Sequence, residues 1–249
     1  MGVASFELFG PSHLVALSCL VFWICLQLYV TQHLKSRELP VTRRALVSRI
    51  LEASNLALVV VAILMQHCAR WWSGHWDPRW DLPLQLCDWA FLSLALAFFT
   101  RHRFLYEVSY FWGLAGTLQG MLTPHLGRDF PSVEFLAFFL FHGGVIAAAL
   151  FNAIAQEQYP RHGAFWKVAL ASQVYLGTAL LANFLIKGAN YGFLLEKPDA
   201  SLMDYMGPWP WYILTLELAG LFSFWLYDLP WRWLRKQKGE PHSPEIPGA

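Results

Sequence analysis

Charge is the scarcest commodity in this 249-residue chain: Asp, Glu, Lys and Arg together make up 14% of it, against about 25% in ordinary globular domains. With 56% hydrophobic residues, 13 Trp and 19 Phe among them, too little polar surface is left to keep a globule of this size in water. That shortage excludes a soluble enzyme and a disordered protein. Excess charge of one sign is missing too. A net charge of +1 gives no reason to expect a nucleic-acid partner. Cysteine is sparse, four in all with no C-x-x-C pair, so neither a disulfide framework nor a structural metal site is expected, and no cofactor is expected either. The first eleven residues lack a basic stretch and carry only Glu7, so the apolar run behind them reads as a span and not as a cleaved signal. No internal repeat and no soluble domain is evident. The class that remains is all-α: a polytopic helical membrane protein.

A bilayer core about 30 Å thick needs about 20 mostly apolar helical residues. Seven stretches qualify, at 11–33, 50–69, 82–100, 104–126, 131–155, 166–187 and 209–230, which predicts a bundle of seven transmembrane helices over residues 1–238 and a disordered cytoplasmic tail at 239–249. Thirteen of the 18 Lys and Arg fall on one side of these spans, Lys35, Arg44, Arg49, Arg101, Arg103 and Arg235 among them. The positive-inside bias then places the N-terminus outside and the C-terminus in the cytoplasm of a plasma-membrane protein. Trp71, Trp72, Trp76 and Trp80, and again Trp209, Trp211 and Tyr212, form aromatic clusters of the kind that sit at headgroup level. Gly113, Gly116 and Gly120 in span four and Gly143, Gly144 and Ala147 to Ala149 in span five are small residues at helical spacing, which predicts a close crossing of these two spans.

An ionisable side chain inside a bilayer costs several kcal/mol unless it is paired or wet. The outward half of the spans nevertheless holds His13, Gln85, Cys87, Asp88, Gln119, Glu134, Asn183, Lys187, Asn190 and Glu217. The simplest arrangement that satisfies them is a polar cavity opening outward between helices. Asn183, Lys187 and Asn190, at i, i+4 and i+7, fall within roughly 40° on one helix face. They read either as a wall of that cavity, with Lys187 paired to Glu134 or Glu217, or as a snorkelling lysine beside two asparagines that bond neighbouring helices. Glu52, Asn55 and Glu107, in the inward half, lie within about a turn of a boundary and can reach it.

Cys87 and His142 are the residues able to do chemistry, because a thiol nucleophile needs a neighbouring base and histidine is the usual one. Cys19 and Cys25 read as small hydrophobes. A Cys68–Cys87 disulfide is the competing reading for an outer-side thiol. Counting along the spans puts His142 about 10 Å deeper than Cys87, so His13 stays open as the alternative base.

Several strings resemble the YwaF-type bacterial integral membrane proteins, which are related to the eukaryotic transmembrane protein 164 family. They are Phe9-Gly-Pro-Ser-His13, Leu82-Pro-Leu-Gln-Leu-Cys87, Phe141-His-Gly143, Asn190-Tyr-Gly-Phe-Leu194 and Gly207-Pro-Trp-Pro-Trp-Tyr212. The resemblance implies a seven-helix fold and, through the eukaryotic branch, acyl transfer on phospholipids with Cys87 in the nucleophile's place and His142 in the base's place. The expected function is therefore a lipid acyltransferase or lipid ester hydrolase. Cys87, His142 or His13 would be catalytic, and Gln85, Glu134, Asn183, Lys187, Asn190 and Glu217 would line the site for a membrane phospholipid or lysolipid. Gln85 or Asn190 would donate to the oxyanion. The alternatives are a transporter with Glu134, Lys187 and Glu217 as a charge path, and a lipid- or small-molecule-binding membrane protein without catalysis.

Overall fold

The computed structural model describes residues 4–37, 40–198 and 202–239. The tail 239–249, expected to be disordered, lies outside the described residues except for Gly239. Among the described residues all regular structure is helical, in seven continuous rods joined by loops and two short 3-10 turns. We number them α1 (Pro11–Ser36), α2 (Val41–Trp72), α3 (Leu86–Thr100), α4 (103–122), α5 (Val133–Ala155), α6 (Ala164–Leu185) and α7 (Trp211–Gln237). Five of them, α1, α2, α5, α6 and α7, are long and apolar enough to cross a membrane. The chain is a multi-pass helical membrane protein.

Local chemistry sets the boundaries. Pro11 opens α1 at a position where the missing N–H costs nothing. Ser132 caps α5 by accepting from the Phe135 N–H at 3.1 Å, which moves the start from the expected 131 to Val133. α3 begins at Leu86 and not at 82, because Gln85 and Asp88 form a capping box there. α6 stops at Leu185, where Ile186 turns extended (φ −104°, ψ 96°) and Gly188 takes a left-handed φ of +85°. Lys187 and Asn190 therefore lie beyond the helix, and the expected single face of Asn183, Lys187 and Asn190 does not exist.

α5 is the hub. Of its most apolar window 56% is buried, against 11% for α1. A Cβ on Gly144 would stand 2.6 Å from a Val59 methyl, so α2 and α5 cross in near backbone contact there, while Gly143 faces Leu20 of α1. The expected crossing of spans four and five is made by α4 and α5, with Gly113 against Val145 and Gly120 against His142. Gly116 looks the other way, toward Leu86 and Cys87 of α3. The middle of α4, Gly113–Thr117, is a π-helical turn, and Thr117 donates its hydroxyl back to the Gly113 carbonyl. α5 likewise ends in a π-turn, Phe151–Ala155.

The helix ends sort into two layers. One carries the end of α1, the start of α2, the basic connections 101–103 and 156–163 and the end of α7. Glu52, Glu107 and Asp228 are buried there, each against arginine: Arg49 and Arg101, Arg161, and Arg232 with Arg235. Glu52, Asn55 and Glu107 do not reach the boundary as expected. They are 2%, 0% and 1% exposed, and arginines come to the two acids instead. Asn55 is held within the bundle by a reciprocal amide pair with Gln27 and by the Trp23 indole N–H.

Candidate functional site

The opposite layer collects the short strings singled out above. His13 is fully buried: its Nδ1 accepts from the Phe9 N–H at 3.0 Å and its Nε2–H donates to the Met121 carbonyl at 2.8 Å. Both ring nitrogens are spent on backbone. Met121 adjoins Gly120 on α4, and a Cβ on Gly120 would lie 3.1 Å from Cδ2 and 3.3 Å from Nε2 of His142. His142 donates from Nδ1 to the Phe138 carbonyl at 2.9 Å and stacks on the Phe138 ring, 4.0 Å between centroids. That bond fixes the tautomer and leaves Nε2 with its lone pair toward α4.

One turn back along the same stripe, a Cβ on Gly116 would lie 3.5 Å from the Cys87 Sγ. Cys87 and His142 thus flank the Gly116–Gly120 turn from α3 and α5, about 6 Å apart in height, and no direct hydrogen bond joins them among the described residues. The counted depths placed His142 deeper than Cys87; the structure reverses the order. α3 starts four residues later than the apolar run suggests, so Cys87 sits in its first turn at a level well inside the bundle. There its thiol lies at the helix N-terminus, where the Asp88 and Trp89 N–H groups are already taken by the Gln85 carbonyl at 3.0 and 3.2 Å. All four cysteines are free; Cys68 is exposed and does not pair with Cys87.

A strap of chain crosses this helix start. Gln85 accepts the Gly192 N–H at 3.0 Å, and its backbone N–H is held by Asp88 at 2.9 Å. Gly192 has φ +68° and a Cβ there would stand 2.9 Å from the Tyr175 hydroxyl, so this position requires glycine on both counts. The Tyr175 hydroxyl is buried beside the Leu86 N–H, within electrostatic reach of Cys87 and Asp88. Its ring packs on Trp89 and Trp112. Sequence reasoning missed Tyr175, since an aromatic in an apolar run gives no signal of its own.

The remaining candidates serve the strap or stand apart, and they do not share one cavity. Asn183 grips Tyr191 by both backbone groups, N–H to Oδ1 at 2.6 Å and Nδ2 to the carbonyl at 2.9 Å. The Tyr191 hydroxyl in turn donates to Pro78 and accepts from the Leu82 N–H, tying the strap to the loop before α3. In that loop the Arg79 guanidinium, hydrogen-bonded to Asp77, holds the Asp77 carboxyl below its ordinary range. Asn190 is consumed by its own turn, donating to the Glu196 carbonyl and accepting from Leu195 and Glu196, so it is not free to serve an oxyanion. Glu134 pairs with Arg128 at 3.4 Å and accepts the Gly127 N–H, while Glu217 accepts from Gln173 on α6 at 2.8 Å. Lys187 is exposed and pairs with neither acid, which removes the expected charge path of Glu134, Lys187 and Glu217. Tyr212 donates to the Phe193 carbonyl at 2.7 Å and Trp209 to that of Leu194 at 3.3 Å, bringing the last string onto the strap. No group of His, Cys, Asp and Glu able to hold a metal occurs among the described residues.

The chain has relatives among known proteins. An uncharacterized protein of Treponema pallidum (strain Nichols) is 30% identical over 191 residues, covering 74% of this chain and 78% of the relative. No solved structure matches. The model of the TMEM164 family matches residues 8–228, a stretch holding every string that meets around the Gly116–Gly120 turn, and the chain therefore belongs to the TMEM164 family.

Proposed function

We propose that this protein is a membrane enzyme that transfers or hydrolyses the acyl chain of a phospholipid through a thioester on Cys87. The single observation that carries the reading is the approach of Cys87 and His142 to one glycine-lined turn of α4, Gly116 facing the thiol and Gly120 the free edge of the imidazole. Without side chains on those two residues, the thiol and the imidazole both pack close to the α4 backbone.

In the first half-reaction the Cys87 sulfur bonds to the ester carbonyl carbon and its proton passes to His142 Nε2, across the one-turn gap through a water or a substrate hydroxyl. The tetrahedral oxyanion faces the Cys87 N–H at the start of α3 and the Gln85 side-chain amide N–H, the kind of fixed donors that stabilise charge developing in the transition state. The carbon–oxygen bond of the ester breaks, and the leaving alkoxide takes the proton from His142. The second half runs in reverse order, with a lysolipid hydroxyl or water attacking the thioester, His142 taking its proton, and the Cys87 thiol returning. Tyr175 and Asp88 shape the wall beside the sulfur. His13 is a positioning residue in this account, since it holds α1 to the α4 residue next to Gly120.

The same reading takes α3 and α4 as spans beside the five longer helices, with the N-terminus outside, the basic layer in the cytoplasm and the chain in the plasma membrane; the thirteen-to-five distribution of Lys and Arg supports that orientation. The test is acyl exchange between a diacyl phospholipid and a lysolipid, read by mass spectrometry on the purified protein. Cys87→Ala is expected to abolish exchange, and His142→Ala to slow it by about 10²-fold or more. Gly120→Ala, which crowds the imidazole, is expected to slow it with little change in folding. Wild-type exchange in both Cys87→Ala and His142→Ala overturns the proposal.

A further inference from the structure

Two cavities open in the basic layer, remote from Cys87: α3 alone separates that residue from Arg101 by about 21 Å. The larger, about 510 Å³, is lined by Leu46, Arg49, Arg101 and Gln156 among others. The smaller, about 180 Å³, is lined by Thr31, Lys35 and Arg44 among others. Ala45 and Ser48 border both, so the two are contiguous along one flank of α2.

The cations of this space are held in place. Arg49 donates from one terminal nitrogen to Glu52 and to the Phe98 carbonyl, both at 3.0 Å, with its guanidinium 3.9 Å from the Phe98 ring centroid. Arg101 likewise uses one nitrogen, on Glu52 and on the Tyr106 hydroxyl. Among the described residues the other guanidinium nitrogens of both are uncommitted, leaving planar N–H edges for the cavity. The Nε of Arg44 is buried with no partner among the described residues. Lys35 is offset by Glu157 at 3.4 Å, and Glu52 offsets one of the two arginines beside it. Among the described residues that line this space two positive charges are left over, one from Arg44 and one from the Arg49–Arg101 pair.

We propose that the joined cavities bind a phosphate-bearing anion, gripped by the Arg49 and Arg101 edges on one side and Arg44 on the other. Forked guanidiniums fixed by a buried carboxylate are suited to phosphate oxygens, because their donors are planar and already oriented. A net surplus of two charges selects a group that is itself net negative. Leu46 and Ile50, one turn apart on α2, are 60% and 56% exposed and continue from the cavity mouth as an apolar track. A headgroup entering from the side thus leaves its acyl chains on that track. A soluble phosphate ester shares the headgroup chemistry without the track.

The experiment is ligand retention by native mass spectrometry, with thermal stabilisation in parallel, on the full-length protein in detergent. The probes are phosphatidylglycerol, phosphatidylcholine, glycerol 3-phosphate and inorganic phosphate. Phosphatidylglycerol is expected to be retained and stabilising, and phosphatidylcholine at least 10-fold weaker. Among the described residues, Arg44→Gln removes a cation that no acid depends on, and Ser48→Phe fills the shared wall without touching an ion pair. Each is expected to weaken phosphatidylglycerol binding 10-fold or more while eluting as a single folded species. Equal stabilisation by glycerol 3-phosphate or inorganic phosphate supports the anion site and assigns it to a soluble ligand. Wild-type phosphatidylglycerol retention in both variants, or equal retention of phosphatidylcholine, overturns the proposal.

Discussion

The two layers of helix ends solve one problem, polar groups inside an apolar bundle, by different means. In the basic layer Glu52, Glu107 and Asp228 are buried as charges, and each is met by at least one arginine whose other face reaches the surface or a loop. In the opposite layer Asp81 is a buried acid paired with Arg70 at 2.6 Å, but most buried polar groups make no such pair, and His13, Asn183, Tyr191 and Tyr212 bond mostly to backbone. Charge pairs pin helices to one another across the layer, whereas neutral side chains organise irregular chain, here the strap 190–194 and the residues before α3. The difference matters for chemistry. The thiol and the imidazole lie among side chains bonded to backbone, with Asp88 beside the sulfur held by the Gln85 N–H, while the basic layer offers cations and open space to an anion.

The comparison can be broken from either side. Arg161→Ala leaves Glu107, 1% exposed, as a buried carboxylate that has lost the guanidinium bonded to it at 2.7 and 3.1 Å. The expected loss is about 3–5 kcal/mol, seen as a lowered midpoint of thermal unfolding in detergent, with most of it recovered by adding Glu107→Gln. Asn183→Ala strips two backbone groups of Tyr191 of their partners, each worth about 1–3 kcal/mol when left buried. Because that loss falls on a loop, hydrogen exchange should rise over 188–194 more than in the helices. Lys187→Ala removes an exposed cation that makes no ion pair among the described residues, and a stability change within about 0.5 kcal/mol is expected. A large effect there would restore the charge path that the structure does not contain.

Much of this fold was legible in the sequence because lipid imposes a simple rule on length and polarity, and the seven apolar runs all became helices. Details failed where a partner is not written locally. His13 and Asn183 were visible as polar residues in apolar runs, but their partners, the Met121 carbonyl and the Tyr191 backbone, carry no residue code. Glu52 with Arg49 at i−3, and Asp228 with Arg232 at i+4, follow helical spacing that could have been read as pairs. Arg101 and Arg161, arriving from other helices or loops, could not. The misplaced depth of Cys87 came from starting the helix with the hydrophobic run. Gln85 and Asp88, three residues apart, were the signal that the helix begins at Leu86.

The central claim is that Cys87 carries an acyl chain during turnover. Incubating the protein with a phospholipid, quenching in acid and measuring intact mass should reveal one added acyl group on wild type, removable by neutral hydroxylamine and absent from Cys87→Ala. An adduct of the same yield on Cys87→Ala, or acyl exchange proceeding with no hydroxylamine-labile adduct at any time, would contradict it.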